Sequence, residues 1–123
     1  GNSPGYGGTI RLARLVGLGR AVEMTLTGDP NRADRAESLG LVSRVVSRAD
    51  LLDEAKAFAR RITRHGPVAL RAALESIYRG VDTSLNEALA FESSLFGLLA
   101  STEDMKEGMT AFLERREAEF KGR

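Results

Sequence analysis

From Asp50 to the C-terminus, apolar side chains recur every three or four residues almost without interruption, which commits this stretch to helix. Leu51, Leu52, Ala55, Phe58, Ala59 and Ile62 keep that spacing until His65-Gly66-Pro67 stops the run. Pro67 suits the first position of the next helix, where a missing N–H costs nothing, and Val68, Leu70, Leu74, Ile77 and Tyr78 carry it to Gly80. A longer helix is expected from Ser84 to Ala100, striped by Leu85, Ala88, Leu89, Glu92, Leu95, Phe96 and Leu99. The last one starts near Thr102, capped by Ser101 or Thr102, with Glu103 and Asp104 in its first turn. Its stripe is Met105, Gly108, Met109, Phe112 and Leu113, and it is expected to end near Phe120. Phe91 and Leu98 fall off the stripe of the Ser84–Ala100 helix, which therefore needs two partners. Self-association is the expected consequence.

The first third of the chain is more broken. Residues 10–27 read as one or two short helices interrupted by Gly17 and Gly19, followed by a turn at Gly28-Asp29-Pro30-Asn31. Ala33 to Leu39 reads as a short helix closed by Gly40. Leu41 to Val46 has the β-branched content of the chain's one predicted strand, and a single strand needs a pairing segment from elsewhere.

Composition excludes several classes. Eighteen basic and seventeen acidic side chains leave a net charge of +1, which provides no electrostatic case for nucleic acid or an anionic membrane. With no cysteine there is no disulfide scaffold, thiolate zinc site or cysteine nucleophile, and the expected compartment is the cytoplasm. No apolar run approaches the ~20 residues of a membrane span. His65 alone cannot make a metal site, and its His-Gly-Pro setting marks a turn.

The run Pro4-Gly5-Tyr6-Gly7-Gly8-Thr9 carries the candidate chemistry. Three glycines in four residues permit backbone conformations and close approaches that a Cβ blocks, and Thr9 is placed to cap the following helix. Such a turn can aim N–H groups at an anion or a polarised oxygen. It matches neither common nucleotide-binding glycine pattern. Glu23, Glu75 and Glu92 are the acids one would test as proton carriers, against the plainer reading of solvated or paired helix residues.

These blocks, in order, resemble the enoyl-CoA hydratase/isomerase (crotonase) family. The carriers are Pro4-Gly5-x-Gly7-Gly8-Thr9, Arg11-Leu12, Leu15-Val16-Gly17, Ala21-x-Glu23-Met24-x-Leu26-Thr27-Gly28 and Ala36-x-x-x-Gly40-Leu41-Val42, with the tail Thr102-Glu103-Asp104-x-Lys106-Glu107-Gly108-Met109-x-Ala111-Phe112-Leu113-Glu114-Arg115-Arg116. The resemblance implies the C-terminal part of an α/β spiral of ββα units: residues 1–46 as the end of the spiral core, 47–123 as a helical oligomerisation region. The chain itself is then mainly α with one short strand. The implied activity is hydration of a 2-enoyl-CoA to the 3-hydroxyacyl-CoA, with the CoA thioester as substrate, no cofactor and no metal. The implied partners are acyl-CoA and further copies of the chain, as a trimer or a dimer of trimers.

In such enzymes two N–H groups hold the thioester oxygen and two glutamates handle water and protons. The resemblance places that oxyanion hole and both glutamates outside this chain, which leaves no catalytic residue in it. Pro4, Gly5, Gly7 and Gly8 then form the rim of the active site, with the Gly5 N–H toward the catalytic water. Phe96, Phe112 and Arg115 match positions that enclose the acyl-CoA, Arg115 as a partner for a CoA phosphate. The alternative is a non-catalytic helical oligomerisation module.

Overall fold

The structure, a computed structural model, describes residues 1–123 and contains seven helices and no strand. They are α1 (Gly8–Val16), α2 (Leu18–Thr27), α3 (Ala33–Ser38), α4 (Leu51–Thr63), α5 (Pro67–Gly80), α6 (Leu85–Leu99) and α7 (Glu103–Glu114). Two compact units result, Gly1–Leu51 and Leu52–Arg123.

In the first unit α1 and α2 pack on each other through Val16 and Ala21, both buried. Gly17 joins them at φ 84°, ψ 158°, a conformation open essentially to glycine alone. Its N–H bonds the Ala13 carbonyl at 3.0 Å and its carbonyl accepts from Ala21 N–H at 3.1 Å, so one residue ends one helix and starts the next. Gly19, expected to break the helix, lies inside α2. Ala36 is the buried residue of α3, and Glu23 on α2 pairs with Arg35 on α3 at 2.9 Å.

The predicted strand Leu41–Val46 does not form. The C-terminus of α3 takes its amides instead: Gly40 N–H bonds Glu37 C=O at 2.9 Å and Leu41 N–H bonds Ala36 C=O at 2.9 Å, the pair of bonds that defines a Schellman cap. Val45 N–H is bound by the Glu37 carboxylate at 3.1 Å. Donors spent on a helix end are unavailable to a ladder, and residues 1–123 contain no second strand.

In the second unit Pro67 opens α5, as its sequence position suggests. Ser84 caps α6 in a full capping box, its hydroxyl accepting from Glu87 N–H at 3.3 Å while the Glu87 carboxylate takes Ser84 N–H at 3.2 Å. The Ser84 hydroxyl also holds the Glu87 carboxyl below its ordinary pKa. Thr102 caps α7 by accepting from Met105 N–H at 3.1 Å. Helix α6 meets α5 along Ala88, Phe91, Leu95 and Leu99, so Phe91 belongs to the packed stripe, and the Arg79 guanidinium lies 4.9 Å from its ring centre. Leu85, Leu89 and Phe96, three of the expected stripe residues, are exposed.

Helix α7 stops at Glu114, not near Phe120. Arg115 adopts the left-handed conformation at φ 54°, and Arg116 N–H turns back to Ala111 C=O at 3.0 Å. Residues 117–123 then fold back along the helix. Asp104, itself buried, accepts Lys121 N–H at 2.6 Å and Gly122 N–H at 2.9 Å, and Asp104 N–H bonds Arg123 C=O at 3.1 Å.

The buried apolar residues are small: Val16, Ala21, Ala36 and Ala111. The chain exposes 10,079 Å², where a folded monomer of 13.3 kDa exposes about 6,500 Å². Exposed apolar side chains on the helices, among them Leu18, Leu26, Leu85, Phe112 and Leu113, contribute to that excess.

Candidate active-site rim

The glycine run forms a tight turn ahead of α1. Tyr6 (φ 54°) and Gly7 (φ 78°) are both left-handed, and Gly8 N–H closes the turn onto Gly5 C=O at 3.0 Å, the pattern of a type I′ turn. A non-glycine residue in that region costs about 1–2 kcal/mol, so Tyr6 is held by its surroundings. Arg11, one turn into α1, bonds both central carbonyls: its N–H takes Gly7 C=O at 2.9 Å and its Nη2 takes Tyr6 C=O at 2.5 Å. The N–H groups of Gly5, Tyr6 and Gly7 make no internal hydrogen bond and remain available.

The structure therefore brings Pro4, Gly5, Gly7 and Gly8 together in one turn. Pro4 packs on Gly8, where an added Cβ would sit 3.3 Å from the proline ring. Thr9, expected as the cap, is the second residue of α1, and Gly7 occupies the cap position without a side-chain bond. Tyr6 is fully exposed at the tip.

The acids of this unit are largely engaged. Glu23 is paired with Arg35, Asp34 with Arg32 at 3.3 Å, Glu37 with the Val45 amide and Asp50 with the Ser47 hydroxyl at 2.6 Å. In the second unit Glu75 pairs with Arg79 at 2.8 Å.

Phe96, Phe112 and Arg115 lie in the second unit but do not converge on one cavity. Phe96, 63% exposed, borders two neighbouring apolar grooves. One of 280 Å³ runs between α5 and α6, against Ala69, Ala72, Ile77, Leu95 and Leu99. The other, 350 Å³, is bounded by Gly66, Leu99, Met105, Met109 and Phe120. Phe112, 82% exposed, lines a third of 420 Å³ with Arg64, His65, Arg116 and Phe120. Arg115 lines none of the three; its backbone ends α7 and its side chain is exposed.

Phe120 borders both of the latter grooves, a placement that helical periodicity in the sequence does not reveal. Its ring lies over Gly66 and Gly108, each 3.4 Å from it once a Cβ is added. A glycine in the middle of α7, at Gly108, is the signal that something packs closely there. Glu107 on the same helix holds Arg116 in a two-pronged ion pair at 2.6 and 2.9 Å and accepts Glu119 N–H at 2.8 Å. The Arg116 hydrogen bonds, then the Glu119 amide, pull the Glu107 carboxyl down to about 2, and the same pair raises the Arg116 pKa.

The backbone agrees with solved structures over almost its whole length. It superimposes on the crystal structure of an enoyl-CoA hydratase from Bacillus anthracis with a TM-score of 0.96 at 39% identity, over 99% of this chain and 47% of that one. The sequence profile described as enoyl-CoA hydratase/isomerase matches residues 1–123. The chain belongs to the enoyl-CoA hydratase/isomerase family and corresponds to a C-terminal portion of its fold.

Among curated relatives, it is 46% identical to a short-chain-enoyl-CoA hydratase of Clostridium acetobutylicum, over all of this chain and 48% of the relative. It is also 46% identical to a crotonyl-CoA hydratase of Syntrophomonas wolfei, over 98% of this chain and 46% of the relative. The chain thus spans about half the length of the curated relatives it matches. No helix is long and apolar enough to cross a membrane.

Proposed function

We propose that the whole protein hydrates a short-chain 2-enoyl-CoA, adding hydroxide at C3 and a proton at C2 to give the 3-hydroxyacyl-CoA. The observation that carries this reading is the 46% identity to short-chain hydratases together with a Pro-Gly-Tyr-Gly-Gly turn whose leading N–H groups have no internal partner. In this reading Gly5 N–H orients the water, with Pro4, Gly7 and Gly8 shaping the rim. Phe96 and Phe112 present aromatic faces to the acyl-CoA, and Arg115 meets a CoA phosphate. The thioester is substrate, and no cofactor takes part.

The proton-handling glutamates and the oxyanion hole are contributed from outside residues 1–123. The engagement of Glu23, Asp34, Glu37 and Asp50 in structural contacts supports this, since a general acid needs a free carboxyl in reach of substrate. The exposed faces of α6 and α7 support assembly of several copies, as a trimer or a dimer of trimers. The cytoplasm is the compartment that fits a cysteine-free chain acting on CoA esters.

The test is the full-length polypeptide with crotonyl-CoA, followed by loss of the enoyl thioester absorbance and by mass detection of 3-hydroxybutyryl-CoA. Hydration is expected. No hydration of crotonyl-CoA, with conversion of a 3-enoyl-CoA supplied in parallel to the 2-enoyl-CoA, would assign the protein to isomerisation instead.

A further inference from the structure

We propose that Arg11 is a positioning residue for the glycine turn, fixing the direction of the Gly5 N–H by clamping the two residues behind it. The geometry is specific. The Arg11 amide gives Gly7 C=O the ordinary first bond of α1, which any residue there would supply, and the guanidinium adds the bond to Tyr6 C=O that only this side chain makes. The guanidinium plane also fills the space beside Gly7, where an added Cβ would meet Nη1 at 3.2 Å and Cζ at 3.4 Å. A tyrosine at φ 54° does not stay there by itself, and Tyr6 is fully exposed, so its side chain contributes no packing that holds it. The turn is held by the closing Gly8 N–H bond to Gly5, by Pro4 against Gly8 and by the Arg11 guanidinium, and only the last acts on Tyr6 directly.

Released from the clamp, Tyr6 relaxes toward negative φ. The peptide planes on either side rotate, the Gly5 carbonyl swings away from the Gly8 N–H it accepts, and the Pro4–Gly5 amide, one residue further back, loses the anchor that fixes its N–H. The catalytic consequence rests on the function proposed above; the structural consequence does not. Lysine can give one charge-assisted bond to a carbonyl but cannot offer the flat, forked group.

The experiment compares Arg11→Met and Arg11→Lys in the full-length protein by two readouts, hydration of crotonyl-CoA and amide hydrogen exchange. Arg11→Met is expected to lower kcat roughly tenfold to a hundredfold with KM nearly unchanged, the size of effect that small misplacement of a reacting group produces. Exchange at Gly8 should quicken while Val16 and Ala21, in the α1–α2 packing, keep their protection. Arg11→Lys should recover part of both. Unchanged Gly8 exchange in Arg11→Met overturns the proposal, as does a rise that Val16 and Ala21 share equally, which would make Arg11 a general stabiliser. If the unaltered protein shows no hydration, the functional reading fails and Gly8 exchange alone decides on Arg11.

Discussion

Glu107 in α7 and Arg116 just beyond its end form a forked ion pair, with Nη1 to Oε1 at 2.6 Å and Nη2 to Oε2 at 2.9 Å, and this pair turns the chain back toward the helix it has just left. The Glu107 carboxyl is lowered from 4.5 to about 2, so its folded form binds a proton less readily than its unfolded form. Its stabilisation is therefore complete above pH 4.5 and is lost as pH falls from there toward about 2. Thermal unfolding of Glu107→Gln measured across that range should show a lower midpoint at pH 7 and a flatter acid limb than the unaltered protein. Identical acid limbs would mean that the ion pair does not hold the tail.

Ser84 and Glu87 satisfy each other's backbone at the start of α6. Ser84→Ala should destabilise the protein by about 1 kcal/mol, and Ser84→Asp should restore most of it, read from urea unfolding midpoints. A loss in both variants would show that the hydroxyl serves something other than the cap.

Gly97 sits within α6 with no atom inside 4 Å of an added Cβ. Gly97→Ala should stabilise the helix by about 0.5–1 kcal/mol, because alanine loses less backbone entropy on folding. A decrease in stability would reveal a neighbouring copy packed against that side in solution.

Leu85, Leu89 and Phe96 share an exposed face of α6, four and seven residues apart. Leu89→Lys should weaken self-association roughly tenfold or more in sedimentation velocity, since burying an unpaired ammonium in an apolar interface is costly. Undiminished assembly would place the contact on another face.

The helices were legible in the sequence wherever a local signal marks their ends. Pro67, Ser84 and Thr102 sit where capping chemistry puts them, and Gly40 closes α3 as its position suggests. Two local expectations failed, since Gly7 rather than Thr9 caps α1 and Gly19 lies within α2, and the other failures turn on contacts distant in sequence. The strand at Leu41–Val46 rested on residue type, but a ladder needs a second strand and the amides went to the end of α3. The expected end of α7 differs because Arg115, with no glycine to mark it, takes a left-handed turn, and the Arg116 beyond it pairs with Glu107 nine residues back in sequence. Phe91 joined the packed stripe because α5 approaches α6 from its side, which periodicity on one helix cannot reveal. At the candidate rim, Pro4, Gly5, Gly7 and Gly8 were legible as a turn, whereas the Arg11 clamp has no signature beyond the arginine itself.

The division of labour between this chain and the rest of the enzyme is tested most directly by turnover. Crotonyl-CoA hydration should be followed with residues 1–123 alone and with the full-length polypeptide at equal molar concentration. Enzyme-like hydration is expected from the full-length polypeptide and none above the uncatalysed rate from residues 1–123. Enzyme-like turnover by residues 1–123 alone would contradict this division, because the acids that move the protons would then have to lie within this chain, with Glu92 beside the Phe96 groove the first to test.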